Sequence, residues 1–132
     1  MSIEAGGCFC AAVRYRVDGA PTASAICHCR SCRQASGAAA VAWLTVPLAN
    51  FHWTHGTPRT HRSSPGVERT FCERCGTPLT YARDTLPGTI DVTTASLDDP
   101  ARFPPTREVW VAEKLPWQRL DPSLAHRTAE GD

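Results

Sequence analysis

Seven cysteines in three groups constrain this chain more than any other feature: Cys8 and Cys10; Cys27, Cys29 and Cys32; Cys72 and Cys75. An odd number of thiols leaves one over in any framework of internal disulfides. The opening "MSIEAGGCFC" lacks the basic and apolar stretches of a secretory leader, so a cytoplasmic location is expected, where thiols stay reduced. Metal ligation is then the better reading. Zinc holds thiolates at about 2.3 Å in a tetrahedron, which brings neighbouring sulfurs to roughly 3.8 Å. Cys72-x-x-Cys75, within "FCERCGTPL", suits a tight knuckle in which Gly76 supplies the turn after the second ligand. Cys8-x-Cys10, read as part of a strand, puts both side chains on one face.

Together Cys8, Cys10, Cys72 and Cys75 make a closed four-sulfur site, the structural pattern for zinc. Spacing leaves a second grouping open, with Cys29 and Cys32 completing a two-knuckle site beside Cys72 and Cys75. Under the first grouping Cys27, Cys29 and Cys32 remain as a three-thiolate site. Three protein ligands and one open position is the catalytic pattern for zinc. Cys29 and Cys32 fall on one side of a helical first turn, whose dipole favours anionic sulfur. Cys29-Arg-Ser-Cys32 also has thioredoxin-type spacing, but the chain lacks the alternating strand and helix pattern of that fold. His28 adjoins two of the cysteines, and in an extended segment its side chain faces the other way.

The rest of the chain reads as short strands with much turn punctuation. It has 132 residues, 11 of them proline and 9 glycine, enough for one domain with one core. Residues 8 to 17 alternate toward their end, with Val13, Tyr15 and Val17 on one face. "DGAPTASA" reads as loop, and residues 29–36 as a short helix ended by Gly37. "AAAVAWLTV", "NFHWTHG", "PLTYAR", "TIDVTT" and "EVWVAEK" read as strands. "PRTHRSS" and "VERTFC" flank a Pro65-Gly66 hairpin turn, and "SLDDPARF" is a helical turn or loop. From Pro116 periodicity is lost, so the expected division is a domain over 1–120 and a tail over 121–132.

Charge nearly balances, 14 Lys plus Arg against 13 Asp plus Glu, which argues against a protein built to coat nucleic acid or an anionic membrane. No apolar run approaches the ~20 residues of a membrane span.

"GGCFCAAVRY", "CHCRSCRQASGA" and "FCERCGTPL" occur in an order and spacing that resembles the glutathione-dependent formaldehyde-activating enzyme family, whose domain is shared with centromere protein V. The resemblance runs from residue 6 to about 117 and takes in "NFHWTHG", "RSSPGVERTFC" and "EKLPW". Two departures stand out. Ala11 replaces a usual glycine, which suggests a different local backbone, and Glu108 stands near a usual histidine, which argues against a site role for its segment. The resemblance implies a mainly β single domain of small antiparallel sheets stapled by zinc, with little helix, similar to methionine-R-sulfoxide reductases. It implies two zinc ions, one on Cys8, Cys10, Cys72 and Cys75 and one on Cys27, Cys29 and Cys32. The implied activity is that of a carbon-sulfur lyase joining glutathione, or a similar thiol, to formaldehyde as S-hydroxymethylglutathione.

On that basis the substrate sulfur takes the open position of the three-cysteine site as its thiolate, beside the aldehyde carbon. Arg30, Arg33, Arg59 and Arg62 are candidates for gripping its carboxylates, Trp43 and Trp53 for walling the pocket, and Ser31 for relaying a proton. Thiols add to formaldehyde readily without help, so a non-catalytic carrier of glutathione or its adduct is the alternative; a cysteine-based reductase is the third reading.

Overall fold

The structure, a computed structural model, describes residues 3–129. Eleven strands follow one another: β1 (Ile3–Gly7), β2 (Arg14–Asp18), β3 (Ala23–Cys27), β4 (Val41–Pro47), β5 (Phe51–His55), β6 (Arg59–Ser64), β7 (Val67–Phe71), β8 (Pro78–Arg83), β9 (Thr89–Thr93), β10 (Arg107–Val109) and β11 (Ala125–His126). One helix, α1 (Arg30–Ser36), separates β3 from β4. The expected mainly β single domain is what forms. Its strands make one sheet in the order β1-β2-β5 and a larger one in the order β11-β10-β3-β4-β9-β8-β7-β6. Pairing is antiparallel throughout except that β10 lies parallel to both β3 and β11. No helix among the described residues is long and apolar enough to cross a membrane.

Alternation explains how the sheets stack. On β2, Tyr15 and Val17 are buried while Arg14 and Arg16 stay at the surface. With Phe51 they face Leu44, Val46, Leu79, Ile90 and Val92 of the larger sheet, and this layer is the main core. On β4, Leu44 and Val46 enter that layer, and Trp43 points to the opposite face. There it meets Ala25, Cys27, Cys32 and Val109, with Tyr81 and Trp110 alongside. The larger sheet thus has one side given to the core and the other to the three-cysteine group.

Several local expectations are corrected. The stretch read as loop, residues 18–25, takes in the first three residues of β3, whose small side chains make poor strand formers in isolation. Pairing with β4 on one side and β10 on the other supplies what propensity lacks. The strand expected from Cys8 begins only at Arg14, because residues 8–13 make a turn. Strands β4 to β9, the hairpin at Pro65-Gly66 and the helix fall close to their expected places, whereas β1 and β11 had no expected counterpart. The strand read over "EVWVAEK" stops at Val109, where Trp110 turns the backbone into a short 3-10 helix over Val111–Glu113. Gly37 ends α1 at φ 71°, its N–H bonded to the Arg33 carbonyl at 2.8 Å. Beyond Asp121 the chain returns to the sheet edge: Arg127 N–H donates to Glu108 O at 2.8 Å and Val111 N–H to Arg127 O at 3.1 Å. Residues 1–2, and residues 130–132 of the expected tail, lie outside the described residues.

Candidate metal centre

Cys8, Cys10, Cys72 and Cys75 bring their sulfurs within 4.8 Å of one another. The Cys8–Cys10 and Cys10–Cys72 separations are both 3.7 Å, close to the spacing of thiolates around one tetrahedral zinc. The first pair converges on a turn and not on a strand face. Ala11 N–H donates to Cys8 O at 3.0 Å and Cys8 N–H to Val13 O at 3.0 Å. Ala11 sits there at φ 66°, the left-handed region that glycine enters most easily. The departure at this position therefore changes the side chain and leaves the turn in the conformation a glycine would prefer.

The second pair forms the expected knuckle: Gly76, at φ 80°, donates its N–H to Cys72 O at 2.7 Å. The Thr77 hydroxyl joins the halves, accepting from Phe9 N–H at 3.0 Å and lying 3.2 Å from Cys75 Sγ. That hydroxyl, followed by the Thr77 N–H, lowers Cys75 to about 5. Cys10 goes the other way, to about 11: the Ala12 backbone favours its thiolate, but desolvation and the three neighbouring sulfurs outweigh it. Four sulfurs this close resist ionising together unless a cation joins them, and the donor set fits one metal ion.

Cys27, Cys29 and Cys32 form a separate group, also within 4.8 Å, so the alternative joining Cys29 and Cys32 to Cys72 and Cys75 does not form. Cys27 ends β3, paired with Val41 and Val109. Cys29 precedes α1 and caps it, its sulfur accepting from Cys32 N–H at 3.3 Å. Cys32 is buried one turn later. Hydrogen bonds from Cys27 and Cys29 hold the Cys32 thiol far below its ordinary range, and the charge of Arg69 and the Trp43 indole help against the opposing burial. Cys27 moves upward, through the Cys29 and Cys32 sulfurs and then burial. Three crowded sulfurs with no further Cys, His, Asp or Glu in the group, among the described residues, could also hold a metal ion.

These three sulfurs line an inner cavity of about 170 Å³, with Trp43, Arg69, Tyr81, Arg107 and Trp110 among its walls. An adjoining groove of about 740 Å³ between α1 and the β6–β7 hairpin shares Ser31, Cys32, Trp43, Ser64 and Arg69 with it. Of the candidate arginines, Arg30 lines the groove. Arg33 lines neither space: its guanidinium donates to the carbonyls of His28 and Glu113, both at 3.3 Å. Arg59 and Arg62 pair at the exposed surface with Glu73 and Glu68. Trp43 is a wall, whereas Trp53 packs on Tyr15 and Phe51 in the other sheet. Sequence reasoning missed Arg69, Arg83, Arg107 and Trp110, all on the inner cavity. Alternation within "VERTF", "PLTYAR" and "REV" was the available signal; which face met the cysteines was not.

The segment around Glu108 belongs to the site after all. Arg107 and Val109 face the cavity, and Glu108 faces the other way into the protein, 2% exposed. Its Oε1 lies 2.7 Å from His28 Nε2, and Oε2 accepts from Asp121 N–H at 2.5 Å. His28, fully buried, thus points away from the cavity, as the extended backbone between Cys27 and Cys29 requires. Trp110 then reverses the chain at φ 56°, unusual for a bulky residue. Glu113 completes the frame by accepting from Arg30 N–H at 2.9 Å at the start of α1.

The sequence is 29% identical over 126 residues to a Halomonas elongata protein named "Putative glutathione-dependent formaldehyde-activating enzyme", covering 88% of this chain and 80% of that one. In fold it is similar to a crystal structure of a Rhodobacter sphaeroides protein, with a TM-score of 0.61 and 22% identity over 71% of this chain and 87% of that one. The family model described as glutathione-dependent formaldehyde-activating enzyme matches residues 3–113, from β1 through the whole cavity wall. With both sulfur groups inside that span, the chain belongs to the glutathione-dependent formaldehyde-activating enzyme family.

Proposed function

We propose that this protein is a zinc-dependent carbon-sulfur lyase of the S-hydroxymethylglutathione synthase type, acting on glutathione or a similar thiol and formaldehyde in the cytoplasm. The carrying observation is that Cys27, Cys29 and Cys32 converge on the wall of a cavity while the other four cysteines are grouped apart. Cys8, Cys10, Cys72 and Cys75 would hold a structural zinc, and Cys27, Cys29 and Cys32 a second. Held there by Cys27, Cys29 and Cys32, zinc would supply Lewis acidity that favours the thiolate form of a substrate thiol near neutral pH.

The chain's own groups do the rest. Trp43, Val109 and Trp110 keep apolar surface around the sulfurs and limit water. Arg69, whose Nη2 lies 3.9 Å from Cys32 Sγ, offsets negative charge on the sulfur group. Arg30, on the groove, is placed to meet a substrate carboxylate. In the reaction a sulfur–carbon bond forms as the carbonyl π pair moves to oxygen. The proton lost by the thiol ends on that oxygen, so no oxidant or reductant enters.

The test is metal content together with turnover. The parent should carry two zinc ions per chain and form the adduct faster than the uncatalysed background, in a zinc-dependent way. Cys29→Ala should remain folded, keep one zinc and fall to background. A Cys29→Ala protein with one zinc and undiminished turnover would overturn the proposal, and a parent that binds glutathione with no acceleration would make it a carrier.

A further inference from the structure

Arg107 makes no side-chain hydrogen bond or ion pair among the described residues, and its Nε is buried without a partner. Leaving a charged donor in that state is unfavourable unless something else meets it. Arg69, on the same cavity, also has no carboxylate partner among the described residues. Its guanidinium is nevertheless held in place: it lies 4.8 Å above the Tyr81 ring, and its Nε donates to Ser63 Oγ at 3.2 Å. The inner cavity carries three arginines, Arg69, Arg83 and Arg107, against one carboxylate, Asp91, which accepts from Thr45 Oγ1 at 2.6 Å.

The three-sulfur group does not account for both arginines that lack a carboxylate partner. Arg69 contacts Cys32, but Arg107 is set further along the wall. In the parallel pairing of β10 with β3, Val109 stands opposite Cys27 and Arg107 opposite Ala25. Arg107 is therefore displaced from the Cys27 level by two strand rises, about 7 Å, on the same face. An inner cavity of about 170 Å³ is smaller than the usual ligand pocket, so one short arm of a substrate fits there and the remainder must lie in the 740 Å³ groove.

We propose that Arg107, assisted by Arg69, is a carboxylate subsite of the inner cavity, and that the thiol taken here carries an acid group on an arm about one to two residues long. This rests on the thiol reading of Cys27, Cys29 and Cys32 given above. What it adds is the residue that selects the acid group of that thiol, the fork of Arg107 in the inner cavity.

The test is calorimetric titration of the zinc-loaded protein with three probes: glutathione, its diethyl ester and S-methylglutathione. The ester keeps the thiol and masks both acids; the thioether keeps the acids and caps the thiol. The parent should bind glutathione at least tenfold more tightly than the ester. Arg107→Gln should weaken glutathione and S-methylglutathione by about ten- to a hundredfold and leave the ester unchanged. Arg107→Lys, which keeps charge without the fork, should recover only part of the loss. Equal weakening of all three probes, or none, would overturn the subsite. If Arg107→Gln does not fold, by circular dichroism, Arg69→Gln is read the same way. Arginine-dependent binding of S-methylglutathione by a parent indifferent to capping of the thiol would keep the subsite and refute the thiol reading. Failure of all three probes to bind the parent would refute the subsite.

Discussion

Ala11 and Glu108 show how much a single side chain decides here. At φ 66°, an alanine pays a steric penalty of about 1 kcal/mol that glycine does not, partly offset by glycine's freedom in the unfolded chain. Ala11→Gly is expected to stabilise the metal-loaded protein by about 0.5–1 kcal/mol, read as an upward shift of the urea midpoint at constant slope. Glu108 carries the opposite lesson. Both of its oxygens are used in the interior, on His28 and on the Asp121 N–H. Glu108→Ala leaves His28 buried without this partner and takes the acceptor from the Asp121 N–H nearer the surface, and should cost about 3 kcal/mol, measured by the same denaturation. Because His28 lies between two of the three cysteines, the variant should also lose metal from that group first. Neither effect was legible in the sequence, where Ala11 looked like a change of backbone and Glu108 like a residue outside the site.

At the scale of elements, the helix was legible and one of the strands beside it was not. α1 announced itself through Cys29 and Cys32 three apart and through Gly37, which indeed takes the left-handed cap at φ 71°. Nothing lies within 4 Å of a side-chain carbon placed at Gly37, so Gly37→Ala should fold and cost about 1 kcal/mol, from backbone strain alone. β3 was hidden because "ASAIC" has few of the residues that favour strands; its state comes from neighbours remote in sequence. The arginines divide the same way. Arg59 and Arg62 stand on the exposed β6 and meet Glu73 and Glu68, so Ala substitution at either should change stability by well under 1 kcal/mol. Arg69, two strand positions beyond Val67 on the cavity side of β7, meets Cys32 instead.

For the whole molecule, the closed sulfur group joins the turn after β1 to the knuckle between β7 and β8, with Cys10 and Cys72 separated by 62 residues. A metal ion there closes a long loop and removes much of the unfolded chain's freedom. Chelation should therefore proceed in two stages followed by metal analysis and circular dichroism. The first ion should leave with the β signal intact, and the second only with loss of that signal. Cys72→Ser should abolish folding at 37 °C, whereas Cys29→Ala should not. Acid opposes metal binding: cysteines bind a metal ion only when deprotonated, so protonation weakens both sulfur groups as ligands when pH falls, and metal release from the loaded protein should rise with acidification.

What the sequence by itself determined was the chemistry of the sulfurs and the kind of element that carries them. Cys-x-x-Cys with a following glycine makes a knuckle, alternation makes a two-faced strand, and seven thiols favour metal over disulfide, because each of these depends on residues close together in the chain. Only the tertiary structure decided which thiols share a cluster, which face of β7, β8 and β10 looks toward Cys27, Cys29 and Cys32, and hence that Arg69 and Arg107 belong to the site. Those outcomes depend on the register of strands far apart in sequence, and a shift of one residue in any of them would turn the same side chains to the opposite side of the sheet.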